Sequence, residues 1–449
     1  EFSKNVLKLM TGTTISQLIA LALIPVLARM FSPEEMGQLT YFTSIIMFVS
    51  VVSMGRYEQA IVLPKTDKEA INILALSSII LIGVVIIISL CTLFFIDAFR
   101  SLHSTRYIGY WIWLVPITVL FKGIQGMFAL WNNRKKRFGH TSSSNVGLTI
   151  VRSIVQVIGG FYRNPAQVVE LGKWGFFTSL FSNSSKFKAA GISQTGMSFL
   201  FTSITLGYFT AALLVLFPFL KNETHLLKEV NKAEIKKQAM IYKKFPTINT
   251  LHALTDEIKN FGVNQTIIFA FSDIVLGFYG MTVRVLRAPM QFIGGAFSQV
   301  FYQKASEMRN NKVSYVAFTK KTVRKLFFIA LPIFAIILIF GPELFSFVLG
   351  DKWKLAGVYA QYLTPWLFLN FVVSPVQNIA VIVNKQGKVF GIALVGNIII
   401  FGSIFLGGFV FDDILKGFIL LSVLQILYFT WIYFWILKIA KEDCLNFEK

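Results

Sequence analysis

Acidic residues are scarce in this chain: 22 Asp and Glu stand against 43 Lys and Arg, which leaves a formal net charge of +21. Charge of either sign is itself rare, at 14% of 449 residues, while 55% are hydrophobic and the mean hydropathy is +0.64. That balance excludes an ordinary soluble domain. Cysteine is nearly absent. Cys91 in an apolar run and Cys444 in a charged tail cannot form a disulfide framework and read as bystanders. Also missing are a phosphate-cradling GxxxxGK[ST] loop, a GxSxG elbow and any His/Cys/carboxylate cluster at metal-ligand spacing. ATP hydrolysis is therefore not expected of this chain, no cofactor is implied, and nothing suggests an enzyme. The chain starts at Glu1, without the small-residue cleavage site of a signal peptide, so targeting by the first apolar span is expected.

What is present is apolar length. Uncharged stretches long enough to cross about 30 Å of hydrocarbon are clearest at Ala70–Ile96, Val389–Phe411 and Gly417–Leu437. The pattern predicts an all-α polytopic membrane protein with twelve helices, at 12–30, 37–57, 70–96, 107–131, 141–160, 196–220, 245–271, 274–302, 324–346, 356–383, 389–411 and 415–438. With the N-terminus placed inside, the inner connections and tail hold 28 of the 43 basic residues and the outer loops nine (Arg100, Arg106, Arg163, Lys173, Lys186, Lys188, Lys352, Lys354, Lys416). That threefold asymmetry places both termini in the cytoplasm. A basic inner surface facing anionic lipid then accounts for most of the net charge, and nucleic acid drops out as a partner.

The two halves resemble each other. "FSPEEMGQL" from Phe31 returns as "FSDIVLGFY" from Phe271, an offset of 240 residues, and "NNRKKRFG" from Asn132 returns as "NKQGKVFG" from Asn384, an offset of 252. Pro116 and Pro365 fall in matching spans. The expected architecture is an N-terminal six-helix lobe (1–220), a basic cytoplasmic linker (221–244) and a C-terminal six-helix lobe with its tail (245–449). Pseudo-symmetric lobes of this kind build secondary transporters, with the substrate site at the repeat interface.

Six basic residues lie inside expected spans: Arg29, Lys122, Arg152, Lys259, Arg284 and Arg287. A charge in a span costs from about 2.5 kcal/mol upward, so it faces a bundle interior or a water-filled cavity by default. Arg284 and Arg287, at i and i+3, share a helix face. Arg29 sits at a span end and can snorkel to the interface. Arg56 and Glu58 can form an interfacial ion pair. The seventh span carries a polar stripe, Asn249, His252, Asp256, Lys259 or Asn260, and Asn264. Asp256 can neutralise Lys259 or bind a coupling ion; Glu58 and His252 are the other candidate coupling groups. Cations on a substrate path suit an anionic, above all phosphate-bearing, substrate.

Six stretches in order, "RYEQAIVLP" (56–64), "YKKFPTINT" (242–250), "GFYGMTVRVLRAP" (277–289), "QVFYQKASE" (299–307), "GDKWKLAG" (350–357) and "LTPWLFLNFVVSP" (363–375), resemble the Wzx-type oligosaccharide flippases, the polysaccharide-transport branch of the MATE/MOP exporter superfamily. Only 161–195 stands outside the likeness and is expected to be an external interfacial segment. The resemblance implies twelve helices in two MATE-like lobes that carry an undecaprenyl-diphosphate-linked oligosaccharide across the bacterial inner membrane by alternating access, with membrane lipid and polysaccharide polymerase or export proteins as candidate partners. It also implies a cationic central cavity. Arg284 and Arg287 of "VRVLRAP" are carried over as its main head-group ligands, with Arg29, Arg56, Lys122, Arg152 and Lys259 beside them. Rival readings are a drug or organic-cation exporter of the same fold, which would favour acidic residues, a lipid II flippase with further spans, and a membrane glycan polymerase or ligase.

Overall fold

Two serines start equivalent helices, and each does so by the same hydrogen bond. Ser32 Oγ accepts from the Glu35 amide at 3.3 Å while the Glu35 carboxylate accepts from the Ser32 amide at 2.8 Å, a capping box. Ser272 Oγ accepts from the Val275 amide at 3.2 Å. The sequence likeness around Phe31 and Phe271 is thus one of local structure. The second likeness shifts: a left-handed residue closes the preceding helix at Lys136 (φ 58°) and again at Asn384 (φ 56°), with six-to-one amide bonds Arg137 to Asn132 and Lys385 to Ala380. These turns correspond at an offset of 248 residues, four fewer than the letters suggest.

The computed structural model describes residues 2–101, 109–163, 195–445 and 447. In these the secondary structure is helical, with no strand among the described residues. The helices are α1 (Phe2–Met30), α2 (Pro33–Val52), α3 (Asp67–Ser101), α4 (Leu114–Arg134), α5 (Phe138–Arg163), α6 (Thr195–Asn222), α7 (Lys232–Ile241), α8 (Thr250–Ala270), α9 (Asp273–Pro289), α10 (Gly295–Asn310), α11 (Val316–Leu349), α12 (Lys354–Val373), α13 (Ile379–Ile382), α14 (Gln386–Phe409) and α15 (Ile414–Leu445). Ten helices among the described residues are long and apolar enough to span a membrane, so the protein is an all-α, multi-pass membrane protein. The expected segments 245–271 and 274–302 fall short of that measure. α8 carries Asp256, Glu257 and Lys259, and α9 ends after 17 residues with Arg284 and Arg287 near its end. The external segment 161–195 lies largely outside the described residues, as do Arg106, Lys173, Lys186 and Lys188.

The chain divides into two units, Glu1–Phe261 and Gly262–Lys449, so the boundary falls within α8. In the first unit α5 packs between α1 and α6. Polar side chains tie these helices where hydrocarbon offers no competing water: Ser144 donates to the Ala211 carbonyl at 3.0 Å, Gln156 Nε2 to Ser203 Oγ at 3.1 Å, and Asn132 to the Val215 carbonyl at 2.8 Å. The 221–244 stretch packs on this unit, and Phe261 stacks on Phe48 with ring centroids 5.0 Å apart.

In the second unit α11 and α12 approach closely at Gly341 and Gly357, where an added Cβ on Gly357 would lie 2.3 Å from the Gly341 carbonyl oxygen. Pro342 leaves the Leu338 carbonyl without its helical donor, and α11 kinks at Phe340 (φ −114°, ψ 20°). Gln361 of α12 supplies the missing donor, its Nε2 lying 2.9 Å from that carbonyl. At one end of this unit Arg309 grips Asp443 through Nε at 2.9 Å and a terminal nitrogen at 3.0 Å, and Tyr315 donates to the same carboxylate at 2.8 Å.

The first unit has a comparable clasp on Glu223, which is 4% exposed. It accepts from Trp131 Nε1 and from Arg137 at 2.8 Å, while Arg134 and Lys135 hold Asp67. Removing one partner of a buried pair costs about 3–5 kcal/mol. Glu223→Ala is expected to lose roughly 3 kcal/mol of stability, at the low end because Arg137 is partly solvated, and Glu223→Gln less, because Trp131 keeps an acceptor. Thermal unfolding of the two variants in detergent checks the order.

Candidate functional site

Glycine followed by arginine, both left-handed, reverses the chain after α2. Gly55 has φ 57° and Arg56 φ 59°, and a 3-10 turn, Tyr57–Val62, follows. α2 therefore ends at Val52, not at the expected 57, because its last residues form this turn. Glu58 is carried on the 3-10 turn and is 7% exposed. The expected Arg56–Glu58 ion pair is not a direct contact: Arg56 Nε and Glu58 Oε2 are buried without hydrogen-bond partners, and the two charges act through space. Arg56 is half-buried, and a non-glycine residue in the left-handed region is strained, a strain that gathers at functional positions.

Lys122 faces this turn from α4. Its ammonium meets the thioether of Met47 at 2.8 Å, a weak acceptor, and feels Glu257 and Arg56 at longer range. Arg152 lies mid-way along α5 with the Tyr208 hydroxyl of α6 within electrostatic reach. No carboxylate pairs with Lys122 or Arg152 among the described residues. Lys259 differs. Its ammonium is 3.8 Å from Asp256, whose side chain is 52% exposed. The neutralising reading of that pair therefore has a contact behind it. His252 and Asn249 are exposed with Asp256 on the same polar stripe, and Lys259, Asn260 and Asn264 are half-buried. Arg29 is exposed in the last turn of α1, where a cation suits the helix dipole.

In the second unit Arg284 and Arg287 are half-buried on α9. Immediately after Arg287 the helix widens into a π-turn, Met290–Gly294, before α10 begins. A second π-turn, Phe245–Asn249, precedes α8. Such turns are rare and concentrate at functional sites. Arg287 is within electrostatic reach of Tyr279, which stacks on Phe418 at 5.9 Å, and it has no carboxylate partner among the described residues. The described residues contain no group of three or more His, Cys, Asp or Glu placed to hold a metal ion.

Each unit thus carries basic groups inside helices without paired acids. Sequence reasoning missed Tyr208 and Tyr279, whose spacing from the arginines along or across helices gives no signal, and gave Glu257 no role. The π-turns had a faint signal in Pro246 and in the Gly294–Gly295 pair.

The fold is that of the MOP-superfamily transporters. An inward-facing multidrug resistance MATE-family transporter is 13% identical, covering 98% of this chain and 95% of its own, with a TM-score of 0.66. The lipid II flippase MurJ in an inward closed conformation is 13% identical over 98% of this chain and 90% of its own, with a TM-score of 0.67. A MOP-superfamily transporter from Pyrococcus furiosus, described by the reverse polarity of its binding pocket, is 12% identical over 99% and 96%, with a TM-score of 0.58. A comparison with curated protein sequences finds no match. Two family models, both described as polysaccharide biosynthesis protein, match residues 2–163 and 166–357, and the chain belongs to that family. The second match runs through 166–195, so this stretch lies within the family's pattern and does not interrupt it.

Burial pushes the Glu58 carboxyl above its ordinary value of 4.5, while its backbone hydrogen bond and Arg56 pull the other way. The folded protein then holds this proton more tightly than the unfolded chain, so stability falls as pH rises from the ordinary value through the raised one. Glu58→Gln removes that loss. The variant is expected to melt above wild type at neutral pH, with the difference vanishing below 4.5; melting curves across pH would show a wild-type advantage if the assignment were wrong.

Proposed function

We propose that this protein is a flippase for an undecaprenyl-diphosphate-linked oligosaccharide, an O-antigen, capsule or exopolysaccharide repeat unit, in the bacterial inner membrane with both termini cytoplasmic. The observation that carries the reading is the set of helix-borne cations without a paired acid among the described residues: Lys122 and Arg152 in the first unit and Arg287 in the second. The family membership supports it. An exporter of organic cations would need the opposite polarity, and the one exposed acid on the polar stripe, Asp256, is already paired with Lys259.

The physical task is to move a hydrated head group through hydrocarbon. Each unpaired sugar hydroxyl carried into lipid costs roughly several kcal/mol, so spontaneous flipping is blocked. Guanidinium groups one turn apart offer forked donors to a diphosphate, and a lysine adds a point charge. The polyprenyl tail stays in lipid throughout. Outward movement of an anion is favoured by an inside-negative potential, by about 2.3 kcal/mol per charge per 100 mV, so ATP is not required. If a proton is coupled, buried Glu58 suits it better than Asp256, which is half-exposed and ion-paired, or exposed His252.

A hydrogen bond to a charged group contributes about 1.5–3 kcal/mol, roughly tenfold or more in affinity. Arg284→Ala/Arg287→Ala is expected to slow translocation of a fluorescent undecaprenyl-diphosphate oligosaccharide in liposomes at least about tenfold, and the double lysine variant less. Unchanged rates in the alanine variant would remove these arginines from the path.

A further inference from the structure

The stretch between α6 and α8 is fastened to the first unit at the end of a membrane span. Asn72, one turn into α3, donates to the Glu229 carbonyl at 3.1 Å and accepts from the Asn231 amide at 2.9 Å. Lys68 pairs with Glu229 at 3.2 Å, and the Tyr57 hydroxyl donates to the Ala239 carbonyl at 3.0 Å. The candidate span of α3 runs from Asp67 to Asp97, so these bonds fasten α7 beside its charged start.

α7 buries Gln238 against the unit and leaves much of its remaining surface open. On that open surface Met240 is 64% and Ile241 56% exposed. Lys236 and Lys237 precede them by one turn and stand over them at i, i+4; Lys243 and Lys244 follow within one turn. All four lysines are exposed. Lys237 is paired with Glu234 at 3.3 Å, which leaves a net excess of positive charge around two large apolar side chains; an anionic lipid surface satisfies both chemistries at once.

We propose that α7 is a membrane-surface anchor, its open face resting on anionic phospholipid with Met240 and Ile241 inserted among the acyl chains and the lysines on the phosphates. This goes beyond transport and does not depend on what is transported. Anchoring fixes the connecting segment of the first unit to one leaflet whose head groups are negative.

The test uses the full chain with Cys91→Ser and Cys444→Ser, an environment-sensitive fluorophore on Met240→Cys, and Lys136→Cys as an exposed control, in lipid nanodiscs. With phosphatidylglycerol present, emission at 240 is expected to shift blue and to be quenched by nitroxide-labelled phospholipid. Both effects should fade in zwitterionic discs, and Lys236→Gln/Lys237→Gln should weaken docking by about fivefold per lysine. Water-like emission at 240, equal to the control in both lipids, would overturn the proposal. So would a blue shift that nitroxide lipid does not quench, since that marks a protein partner on this face.

Discussion

Charge carried into hydrocarbon must be paired, brought to the surface or put to use, and the described helices resolve their charges in these three ways. Lys259 is paired with Asp256. Arg29 is brought out at the end of α1. Lys122, Arg152 and Arg287 have neither remedy and keep company with a thioether or a tyrosine. Leaving a cation so placed costs from about 2.5 kcal/mol upward, a penalty that an anionic ligand relieves. The functional reading rests on that residue of unpaired cost.

At the helix ends the same constraint builds structure. Of the four consecutive basic residues from Arg134, Arg134 and Lys135 hold Asp67, Arg137 holds Glu223, and Lys136 remains exposed to close the turn. Arg309 and Lys385 in the second unit take Asp443 and Glu442. Part of the basic excess that the positive-inside pattern assigns to lipid is therefore spent on a few acids that lace helix ends together. Burial of Glu223 and the bidentate grip of Arg309 on Asp443 make those two clasps stronger than ordinary surface pairs such as Lys385–Glu442, whose contribution is about 0–1 kcal/mol. On α7 only Lys237 has an acid among the described residues, Glu234 at 3.3 Å within the same helix, and no lysine of its open side laces it to another helix.

How much of this was legible in the letters follows from range. Apolar length and the Ser32 and Ser272 starts are local properties, so spans and the first repeat match were readable. The i, i+3 pair Arg284 and Arg287 was readable for the same reason. Glu223 was not: within a basic linker it looks solvated, and only the fold brings Trp131 and Arg137 to it. The second repeat match misled by four residues because a left-handed turn can be made by Lys136 or Asn384, and spelling does not locate it. The π-turn after Arg287 left only a faint trace in the Gly294–Gly295 pair, because it depends on how the helix accommodates its neighbours.

The central claim is that the path accepts negative charge. The most direct measurement compares, in proteoliposomes holding wild-type protein under an imposed potential, a polyprenyl-diphosphate oligosaccharide with an uncharged polyprenyl glycoside bearing the same sugars. The account predicts that the diphosphate lipid crosses and that its rate rises with a potential positive on the receiving side, while the uncharged lipid lags at every potential. Equal rates for the two lipids, or passage of organic cations in their place, would contradict it.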